Sequence, residues 1–507
     1  MGLEAPIHIP LDEWNRKLAE SVHPAGWVNP APASRYHLVV IGAGTAGLVI
    51  AAGAAILGAK VALVERGLMG GDCLNFGCVP SKALIRAARA AAEVRDAARF
   101  GIEVPAGVRV NFAAVMERMR RIRAELSPAD SAERFRSLGV DVYFGAGRFV
   151  APDAIEVDGK RLRFKHAAIA TGTRPAIPPI PGLAETGCLT NETVFSLTEL
   201  PRRIAVIGAG PQGCELAQAF CRMGAKVTLL EAADRILPRE DREAAARIER
   251  ALARDGVEII AGCKIVEAVR RGAEKVIAFE RGGDRGETVA DEIIVGAGRA
   301  PNVDGLNLEA AKIEYDRAAG IKTDDRLRTA NPLVYAAGDA ASQCRFTHVA
   351  EAHARIVIRN ALFFGRARAS ALTIPRCIYT DPEIARTGLD EAAAAACGIE
   401  VTAFTHEMAE TDRAVLDGET DGFVKVLVRK GSDRIVGATI VASHAGEMIT
   451  ELSAAIAGGI GLGRLGEVIH PYPTQAGAIA RAAQLYNRTR LTPMAARLMR
   501  GWFALTR

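Results

Sequence analysis

Two cysteines, Cys73 and Cys78, stand five positions apart in the segment Gly-Gly-Asp-Cys-Leu-Asn-Phe-Gly-Cys-Val-Pro-Ser-Lys. In a regular α-helix, positions five apart rise about 7.5 Å and lie on different faces, which is more than a disulfide tolerates. We therefore expect a bent turn, which Gly77 permits, and then a helix with Pro80 in its first turn. The helix N-terminus favours a thiolate at Cys78. The spacing indicates a redox-active pair, and a structural disulfide or two unrelated buried thiols is the alternative.

A nucleotide-binding pattern of strand, glycine turn, helix, strand and acid occurs twice in the chain. In each copy the first glycine allows a tight turn, the second lets the backbone approach a pyrophosphate, and the third lets helix and strand pack closely. The acid follows the first glycine by 23 positions, close to the spacing of a carboxylate that bonds ribose hydroxyls. Two such sites fit FAD and a nicotinamide cofactor. The residues are Gly42, Gly44, Gly47 and Glu65 in the first copy and Gly208, Gly210, Gly213 and Glu231 in the second.

The acid of the second copy favours NADH over NADPH. A carboxylate at position 231 would bond a ribose 2′-hydroxyl and repel a 2′-phosphate. Arg235 follows closely and could accept that phosphate, so NADPH stays open as the alternative.

The cysteine segment resembles the active-site signature of the flavin-dependent pyridine nucleotide-disulfide oxidoreductases, the family of lipoamide dehydrogenase, glutathione reductase and mercuric reductase. The resemblance covers roughly residues 35–488 and places FAD in the first nucleotide site and the nicotinamide in the second. It implies that Cys73 is the interchange thiol that attacks substrate and that Cys78 is the charge-transfer thiol against the flavin. The family's lysine falls on Lys82 and its glutamate on Glu215, although both can be ordinary surface charges.

The same resemblance assigns further cofactor contacts. The runs at residues 169–172 and 295–299 look like strands that end at chain crossovers, and residues 329–339 look like the second flavin motif. The segment 345–348 would also touch FAD. The implied FAD contacts are Ala146, Thr171, Gly172, Asp339, Thr347 and Lys82, and the implied nicotinamide contact is Gly298.

The expected fold class is α/β, with two Rossmann-like dinucleotide-binding domains and a C-terminal α+β interface domain that carries alternating strands at 423–428 and 434–441. In the family this last domain forms a homodimer and completes the partner's active site. The expected divisions are an N-terminal extension (1–34), the FAD-binding domain with the redox disulfide (35–185), an inserted NAD(P)-binding domain (186–300), the second part of the FAD-binding domain (301–371), the interface domain (372–487) and a basic amphipathic tail (488–507).

The sequence departs from the family at the base that serves the dithiol. Lipoamide dehydrogenase and glutathione reductase carry a histidine and a glutamate where this chain has Tyr472 and Gly477. Tyrosine has a reference pKa near 10 and is a poor base at neutral pH, so efficient dihydrolipoamide oxidation is not expected. His470 either substitutes for the histidine or faces the same pocket without contact. A tyrosine at this position resembles the mercuric reductases. Those enzymes also use a C-terminal pair of cysteines to deliver Hg(II), whereas no cysteine follows Cys397 in this chain.

The composition excludes several function classes. The 507 residues, 49% hydrophobic and 24% charged, are typical of a soluble globular protein of several domains. A net charge of +5 and 5% aromatic residues give no indication of nucleic-acid binding, and no resident metal is expected. The remaining cysteines resemble reduced cytosolic thiols. The first residues show no basic region followed by an apolar core, and no uncharged apolar run reaches about 18 residues, so we expect a cytoplasmic protein. The tail predicts a helix that docks on its own protein, or alternatively contacts a membrane surface peripherally.

These features predict a homodimeric, FAD-dependent NADH oxidoreductase whose Cys73–Cys78 disulfide passes electrons to an acceptor. The expected class of acceptor is a disulfide, in a small molecule or a protein, or another thiol-reactive compound, as in the mercuric reductase-like branch, and the sequence does not identify it. An alternative is an NADH dehydrogenase or diaphorase that reduces a quinone-type acceptor without dithiol turnover. A third hypothesis, a flavin-carrying binding subunit that has lost turnover, fits Tyr472 and Gly477 but not the intact cysteine pair.

Overall fold

The computed structural model describes residues 10–507, so the first nine residues of the expected N-terminal extension lie outside the described residues. The chain divides into two compact units. The first comprises the chain up to Ala232 together with Ile260–Leu372, and the second comprises Ala233–Ile259 and Thr373–Arg507. The boundaries of the cofactor domains expected from the sequence stay predictions.

Helices occur in both units. They are α1 (Glu13–Val22), α2 (Thr45–Ile56), α3 (Gly71–Asn75), α4 (Cys78–Arg95), α5 (Phe112–Leu126), α6 (Ala132–Ser137), α7 (Pro211–Arg222), α8 (Arg242–Asp255), α9 (Thr347–Leu362), α10 (Glu391–Ala396), α11 (Asp412–Asp417), α12 (Ala445–Gly458), α13 (Leu462–Leu465), α14 (Gly477–Thr489) and α15 (Pro493–Leu505).

The strands are short in most cases. They are β1 (Tyr36–Ile41), β2 (Val61–Glu65), β3 (Asp141–Phe144), β4 (Arg148–Ala151), β5 (Ala154–Val157), β6 (Lys160–Ile169), β7 (Thr173–Pro175), β8 (Arg203–Ile207), β9 (Lys226–Glu231), β10 (Glu258–Ala261), β11 (Cys263–Arg271), β12 (Glu274–Arg281), β13 (Asp284–Ala290), β14 (Glu292–Val295), β15 (Arg299–Pro301), β16 (Tyr315–Asp316), β17 (Gly320–Ile321), β18 (Val334–Ala336), β19 (Pro375–Ile378), β20 (Glu383–Gly388), β21 (Val401–Glu407), β22 (Phe423–Arg429) and β23 (Ile435–Ala442).

A parallel sheet in the order β3-β2-β1-β6-β18 forms the centre of the first unit. The first half of β6 also pairs with the antiparallel strands β5 and β4. Successive side chains of a strand point to opposite faces, so Val39 and Val40 of β1 enter two different hydrophobic cores. Both residues are fully buried, and burial of each such side chain stabilises the fold by about 1.5–3 kcal/mol. The α/β fold class is confirmed.

A second sheet, in the order β10-β9-β8-β14, repeats the first nucleotide-binding pattern. Strand β8 pairs in parallel with β9 and β14, and α7 connects β8 to β9 as α2 connects β1 to β2. The two expected crossovers meet, because β7 and β15 pair with each other in an antiparallel ribbon. The sequence predicted the crossovers at residues 169–172 and 295–299 separately, and the structure shows that the strands following them pair with each other.

The described part of the N-terminal extension packs on the first unit. Helix α1 begins after Asp12, whose carboxylate accepts a hydrogen bond from the backbone N–H of Asn15. Leu18 and Val22 are fully buried in the core that surrounds α2. The extension is thus part of the folded unit from α1 onward.

The second unit is built on the antiparallel sheet β19-β20-β23-β22-β21. The strands expected at 423–428 and 434–441 are present, but their predicted alternation of buried and exposed residues is wrong. Residues 423–428 are all buried, because α12 and α14 pack on the sheet and the side chain of Lys425 is also covered, where it pairs with Asp241 at 2.9 Å. A polar residue in an alternating pattern need not face water when a buried carboxylate neutralises it.

Candidate active site

The cysteine segment has the bent form that its spacing requires. Cys73 lies in the short helix α3, the chain bends at Phe76 and Gly77, and Cys78 is the first residue of α4. A Cβ at Gly77 would lie 2.9 Å from the backbone oxygen of Asp72, so only glycine fits this turn without a shift. Pro80 falls in the first turn of α4, where its missing N–H is tolerated.

The two thiols have opposite electrostatic surroundings. Hydrogen bonding between the two thiols raises the pKa of Cys73 above the ordinary thiol value and lowers the pKa of Cys78 to about 6. The sulfur of Cys78 also lies 3.2 Å from the hydroxyl of Thr347, the first residue of α9. The N-termini of α4 and α9 therefore both lie beside this sulfur, and helix N-termini favour negative charge. At neutral pH the arrangement places the thiolate on Cys78 and the proton on Cys73.

Lys82 lies one turn after Cys78 on α4 and pairs with Glu215 of α7. Their charged atoms are 2.7 Å apart, and the Glu215 side chain is only 8% exposed. The positive charge of Lys82 contributes to the lowered pKa of Cys78. This ion pair connects the cysteine segment to α7, the helix of the second nucleotide-binding pattern, so Lys82 and Glu215 are not simply solvated surface charges.

Both glycine turns fit the phosphates of a dinucleotide. Gly42 and Gly208 have positive φ, and a Cβ at the third glycine of either copy would lie within 2 Å of a backbone oxygen. A Cβ at Gly210, by contrast, would meet no protein atom within 4 Å, so packing against the protein does not account for that glycine, and the open space beside it fits the expected approach of a ligand. Neither α2 nor α7 has a side-chain cap, which leaves the N–H groups of their first turns for an anion.

The two acids adopt the same contact in both copies. Glu65 accepts a hydrogen bond from the backbone N–H of Ala43 at 2.6 Å, and Glu231 accepts one from Ala209 at 2.7 Å. Burial raises the pKa of Glu65, and the backbone N–H groups around it oppose that rise. Each carboxylate is held at the end of the second strand, beside the glycine turn, where a ribose would lie.

The remaining predicted cofactor residues lie at strand ends and turns of the first unit. Ala146 is exposed between β3 and β4, the hydroxyl of Thr171 donates to Asn302, and Gly172 and Gly298 have positive φ. Asp339 follows β18 and accepts a hydrogen bond from Thr173 at 3.2 Å. Burial raises the pKa of Asp339, and Arg299 opposes that rise.

Arg299 is a site residue whose role the sequence did not reveal. Its guanidinium lies 3.2 Å from the carboxylate of Asp72, donates to Asn191 at 3.3 Å and donates to the hydroxyl of Thr173 at 2.7 Å. Asn191 also donates to Asp72 at 2.9 Å. These contacts connect the redox segment to both crossovers. The adjacency of Arg299 to Gly298 was the available signal, but its partners are more than a hundred residues away in sequence.

A second missed contact connects the N-terminal extension to the redox segment. Arg123 is 1% exposed and donates to the backbone oxygen of Asn75 at 2.7 Å and to the side-chain oxygen of Asn15 at 2.6 Å. Burial lowers the pKa of Arg123 to about 10. Asn75 lies at the end of α3, two residues after Cys73, so α1 supports the position of the cysteine segment.

Comparison with known proteins identifies the family. The pyridine nucleotide-disulphide oxidoreductase family matches residues 36–354, and its dimerisation domain matches residues 374–483. The chain belongs to this family. The protein is therefore an FAD-dependent oxidoreductase that uses NAD(P)H, and the second match indicates a homodimer.

The oxidoreductase is similar to relatives that carry different names. It is 32% identical over 453 residues to mercuric reductase from Staphylococcus aureus, an alignment that covers 89% of this chain and 83% of the relative. It is 34% identical over 469 residues to dihydrolipoyl dehydrogenase from Bacillus subtilis, with 89% and 98% covered. Among solved structures, the HOCl-induced flavoprotein disulfide reductase RclA from Escherichia coli matches with a TM-score of 0.78, 26% identity and coverage of 89% of this chain and 100% of RclA.

The second unit of this oxidoreductase places His470 and Tyr472 in one loop but gives them separate partners. Nε2 of His470 is 3.0 Å from a carboxylate oxygen of Glu451, and Nδ1 is 3.1 Å from the backbone oxygen of Val468. The hydroxyl of Tyr472 donates to Asp412 at 2.9 Å, which raises the pKa of Tyr472. A pocket of about 300 Å³ lies beside this loop. Gly477, at the glutamate position, begins α14.

Proposed function

We propose that the protein passes electrons from NADH through the Cys73–Cys78 pair to a disulfide or another thiol-reactive acceptor. The observation that carries this proposal is the unequal pair of thiols: the pKa of Cys78 is lowered to about 6, whereas that of Cys73 is raised. A structural disulfide has no need of this difference, but a catalytic pair with one nucleophile and one stabilised thiolate does.

The reductive half of the cycle forms the two thiol states that the surroundings favour. Bound FAD supplies the path for two electrons between the nicotinamide and the disulfide. NADH and the disulfide yield NAD⁺, a thiol at Cys73 and a thiolate at Cys78, which uses the hydride's two electrons and one proton. Thr347 and Lys82 stabilise the Cys78 thiolate as the sulfur–sulfur bond breaks.

The oxidative half follows from thiol–disulfide exchange. Cys73 loses its proton to a base and its thiolate attacks one sulfur of an acceptor disulfide. The acceptor's sulfur–sulfur bond breaks, a mixed disulfide forms, and the first acceptor sulfur leaves as a thiol that carries that proton. The Cys78 thiolate then attacks the Cys73 sulfur, restores the internal disulfide and releases the second acceptor sulfur as a thiolate. The raised pKa of Cys73 means that this half needs a base. Tyr472 does not fit that role, because hydrogen bonding to Asp412 raises its pKa.

NADH is the proposed electron donor because of the groups near the second nucleotide pattern. Glu231 presents a carboxylate at the end of β9, where it would bond a 2′-hydroxyl and repel a 2′-phosphate. The guanidinium of Arg235 donates to the backbone oxygens of Leu237, Pro238 and Glu240 at 2.9–3.0 Å, so three of its five N–H donors are already engaged. Steady-state rates should therefore favour NADH over NADPH.

The second candidate function is NADH-dependent reduction of a quinone-type acceptor without turnover of the cysteines. It is favoured by the partners of the two candidate bases: both ring nitrogens of His470 are hydrogen-bonded, to Glu451 and to the backbone of Val468, and the hydroxyl of Tyr472 donates to Asp412. The cysteine pair separates the two functions, because only the first requires an attacking sulfur at position 73.

The test compares the wild-type protein with C73S and with C397S, which removes an exposed cysteine elsewhere. Each is assayed with NADH and three acceptors: an aromatic disulfide, mercuric ion and menadione. The proposal predicts that C73S loses at least 100-fold in disulfide reduction, the scale expected for loss of a catalytic group, while C397S retains activity. Menadione reduction that exceeds disulfide reduction and survives in C73S would instead support the quinone reductase.

A further inference from the structure

The last helix of the chain leaves its apolar side chains uncovered. No residue of α15 is buried, contrary to the expectation that the tail docks on its own protein. Trp502 and Phe503 are 65% and 66% exposed, and Met494, Leu498, Met499 and Leu505 are also more than half exposed. Exposed apolar side chains that adjoin one another mark an interaction surface.

Helix α15 separates apolar and basic residues onto opposite sides. Met494, Leu498, Trp502 and Leu505 follow one another at spacings of four and three residues, which places them along one stripe of a helix, and Met499 and Phe503 widen that stripe. Arg497 and Arg500 lie three positions apart on the other side. The pattern predicts a helix that lies along a boundary between an apolar and a polar medium.

The charge of the tail selects the kind of boundary. Residues 488–507 contain five arginines, at positions 488, 490, 497, 500 and 507, and no aspartate or glutamate. Such a segment is attracted to an anionic surface. An aromatic and aliphatic stripe beside arginines matches the headgroup region of an anionic bilayer, where apolar side chains enter the acyl boundary and guanidinium groups bind lipid phosphates.

The helix is too short to cross a bilayer. Its 13 residues span about 20 Å, less than the hydrocarbon thickness of about 30 Å. Within residues 10–507 no helix is long and apolar enough to be a membrane span. Any contact of α15 with lipid is thus made in the plane of the surface.

A second copy of the chain fits this surface less well than lipid does. The dimerisation domain of the family matches residues 374–483 and stops before the tail. Two tails brought together would also place like charges side by side, which opposes their association.

We propose that α15 anchors this oxidoreductase to anionic membrane surfaces as a peripheral protein. Trp502 and Phe503 enter the boundary of the acyl chains, and Arg497 and Arg500 bind headgroup phosphates. The proposal concerns only where the enzyme acts and is independent of its acceptor, because none of these residues is assigned to the cysteine pair or to a nucleotide site.

The experiment is flotation of the purified, FAD-loaded full chain with two kinds of vesicle, one of phosphatidylcholine alone and one of equal parts phosphatidylcholine and phosphatidylglycerol. We expect binding to the mixed vesicles, at least tenfold weaker binding to phosphatidylcholine, and release by high salt. R497E/R500E should weaken binding roughly 25-fold or more, from about fivefold for each arginine, and W502S/F503S should also release the protein. NADH oxidation in solution should stay unchanged in both variants.

The matched control is R285E/R317E, which makes the same change of charge at two side chains that are 84% and 82% exposed elsewhere on the protein. It should bind the mixed vesicles nearly as well as the wild-type protein. Equal binding by the wild-type protein and W502S/F503S, or no flotation with anionic vesicles, would overturn the proposal. Sedimentation equilibrium provides the remaining arm: dissociation of the dimer in W502S/F503S would show that the stripe binds a second copy instead.

Discussion

The hydroxyl of Thr347 lies 3.2 Å from the sulfur of Cys78, although the two residues are 269 positions apart in the sequence. The first residue of α9 thereby stabilises negative charge at the first residue of α4. From the sequence, Thr347 was expected only among the flavin contacts. The structure adds a contact with the thiol that the family resemblance assigns to the flavin.

Loss of the Thr347 hydroxyl is expected to raise the pKa of Cys78. In the two-electron-reduced enzyme, the Cys78 thiolate is expected to give a long-wavelength absorbance band with the flavin. Because the thiolate is the deprotonated form, this band should grow as the pH rises through about 6. In T347V this midpoint should rise by about one pH unit or more, because a hydrogen bond to a charged group contributes about 1.5–3 kcal/mol. T347S retains the hydroxyl and should titrate like the wild-type enzyme. An unchanged midpoint in T347V would show that the hydroxyl does not stabilise the thiolate.

Replacement of Arg299 is expected to weaken the region where the redox segment meets the two crossovers. R299Q removes the positive charge beside Asp72 and raises the pKa of Asp339 further. When the folded-state pKa of a carboxyl group is raised, the protein loses stability as the pH rises from the unfolded-state pKa to the folded-state pKa of that group. The loss in melting temperature should therefore be larger at mildly alkaline than at mildly acidic pH, as measured by flavin fluorescence on heating. R317Q, at an 82% exposed arginine, is the control, and a pH-independent loss would contradict this account.

The contact between Asn15 and Arg123 predicts that the N-terminal extension stabilises the first unit. N15A removes an acceptor from a buried guanidinium, which is expected to destabilise the fold by about 1–3 kcal/mol. N15D restores an acceptor and adds a charge that pairs with Arg123, so it should recover most of the loss. E20A, on the exposed side of α1, is the control. The measurement is urea unfolding, and equal midpoints for N15A and E20A would refute the prediction.

Restoring the family's histidine and glutamate at positions 472 and 477 is expected to increase dihydrolipoamide oxidation. Y472H/G477E installs both residues of lipoamide dehydrogenase, and a base near neutrality typically contributes about 10²-fold or more. Dihydrolipoamide oxidation should rise at least tenfold, while NADH-dependent menadione reduction should not change. Y472F is the control, since it removes the hydroxyl bonded to Asp412 without adding a base. Equal rates in Y472F and Y472H/G477E would mean that another group already serves the dithiol.

Local patterns were sufficient to predict much of the fold. The glycine turns, the acids that follow them and the bend at Gly77 are set by steric constraints within a few residues of sequence, and the structure places them as expected. The same reasoning was wrong about exposure in residues 423–428, because burial there depends on helices α12 and α14 that pack on the sheet. It was also wrong about the tail, whose helix is present but uncovered.

The site could be predicted only where one motif contains the residues that act together. Cys73, Cys78 and Lys82 stand in one segment, so their association was visible in the sequence. The contacts of Arg299 and Arg123 connect residues that are far apart in the chain, and arginines are too common for their type alone to reveal such partners.

The most direct test of the central claim is anaerobic titration of the purified enzyme with NADH while the flavin spectrum is recorded. If the Cys73–Cys78 pair takes part in turnover, two electrons should produce a long-wavelength thiolate–flavin band, and full reduction of the flavin should require further electrons. The band should be absent in C78S. Bleaching of the flavin at two electrons in the wild-type enzyme, without that band, would contradict the dithiol mechanism and favour the quinone reductase.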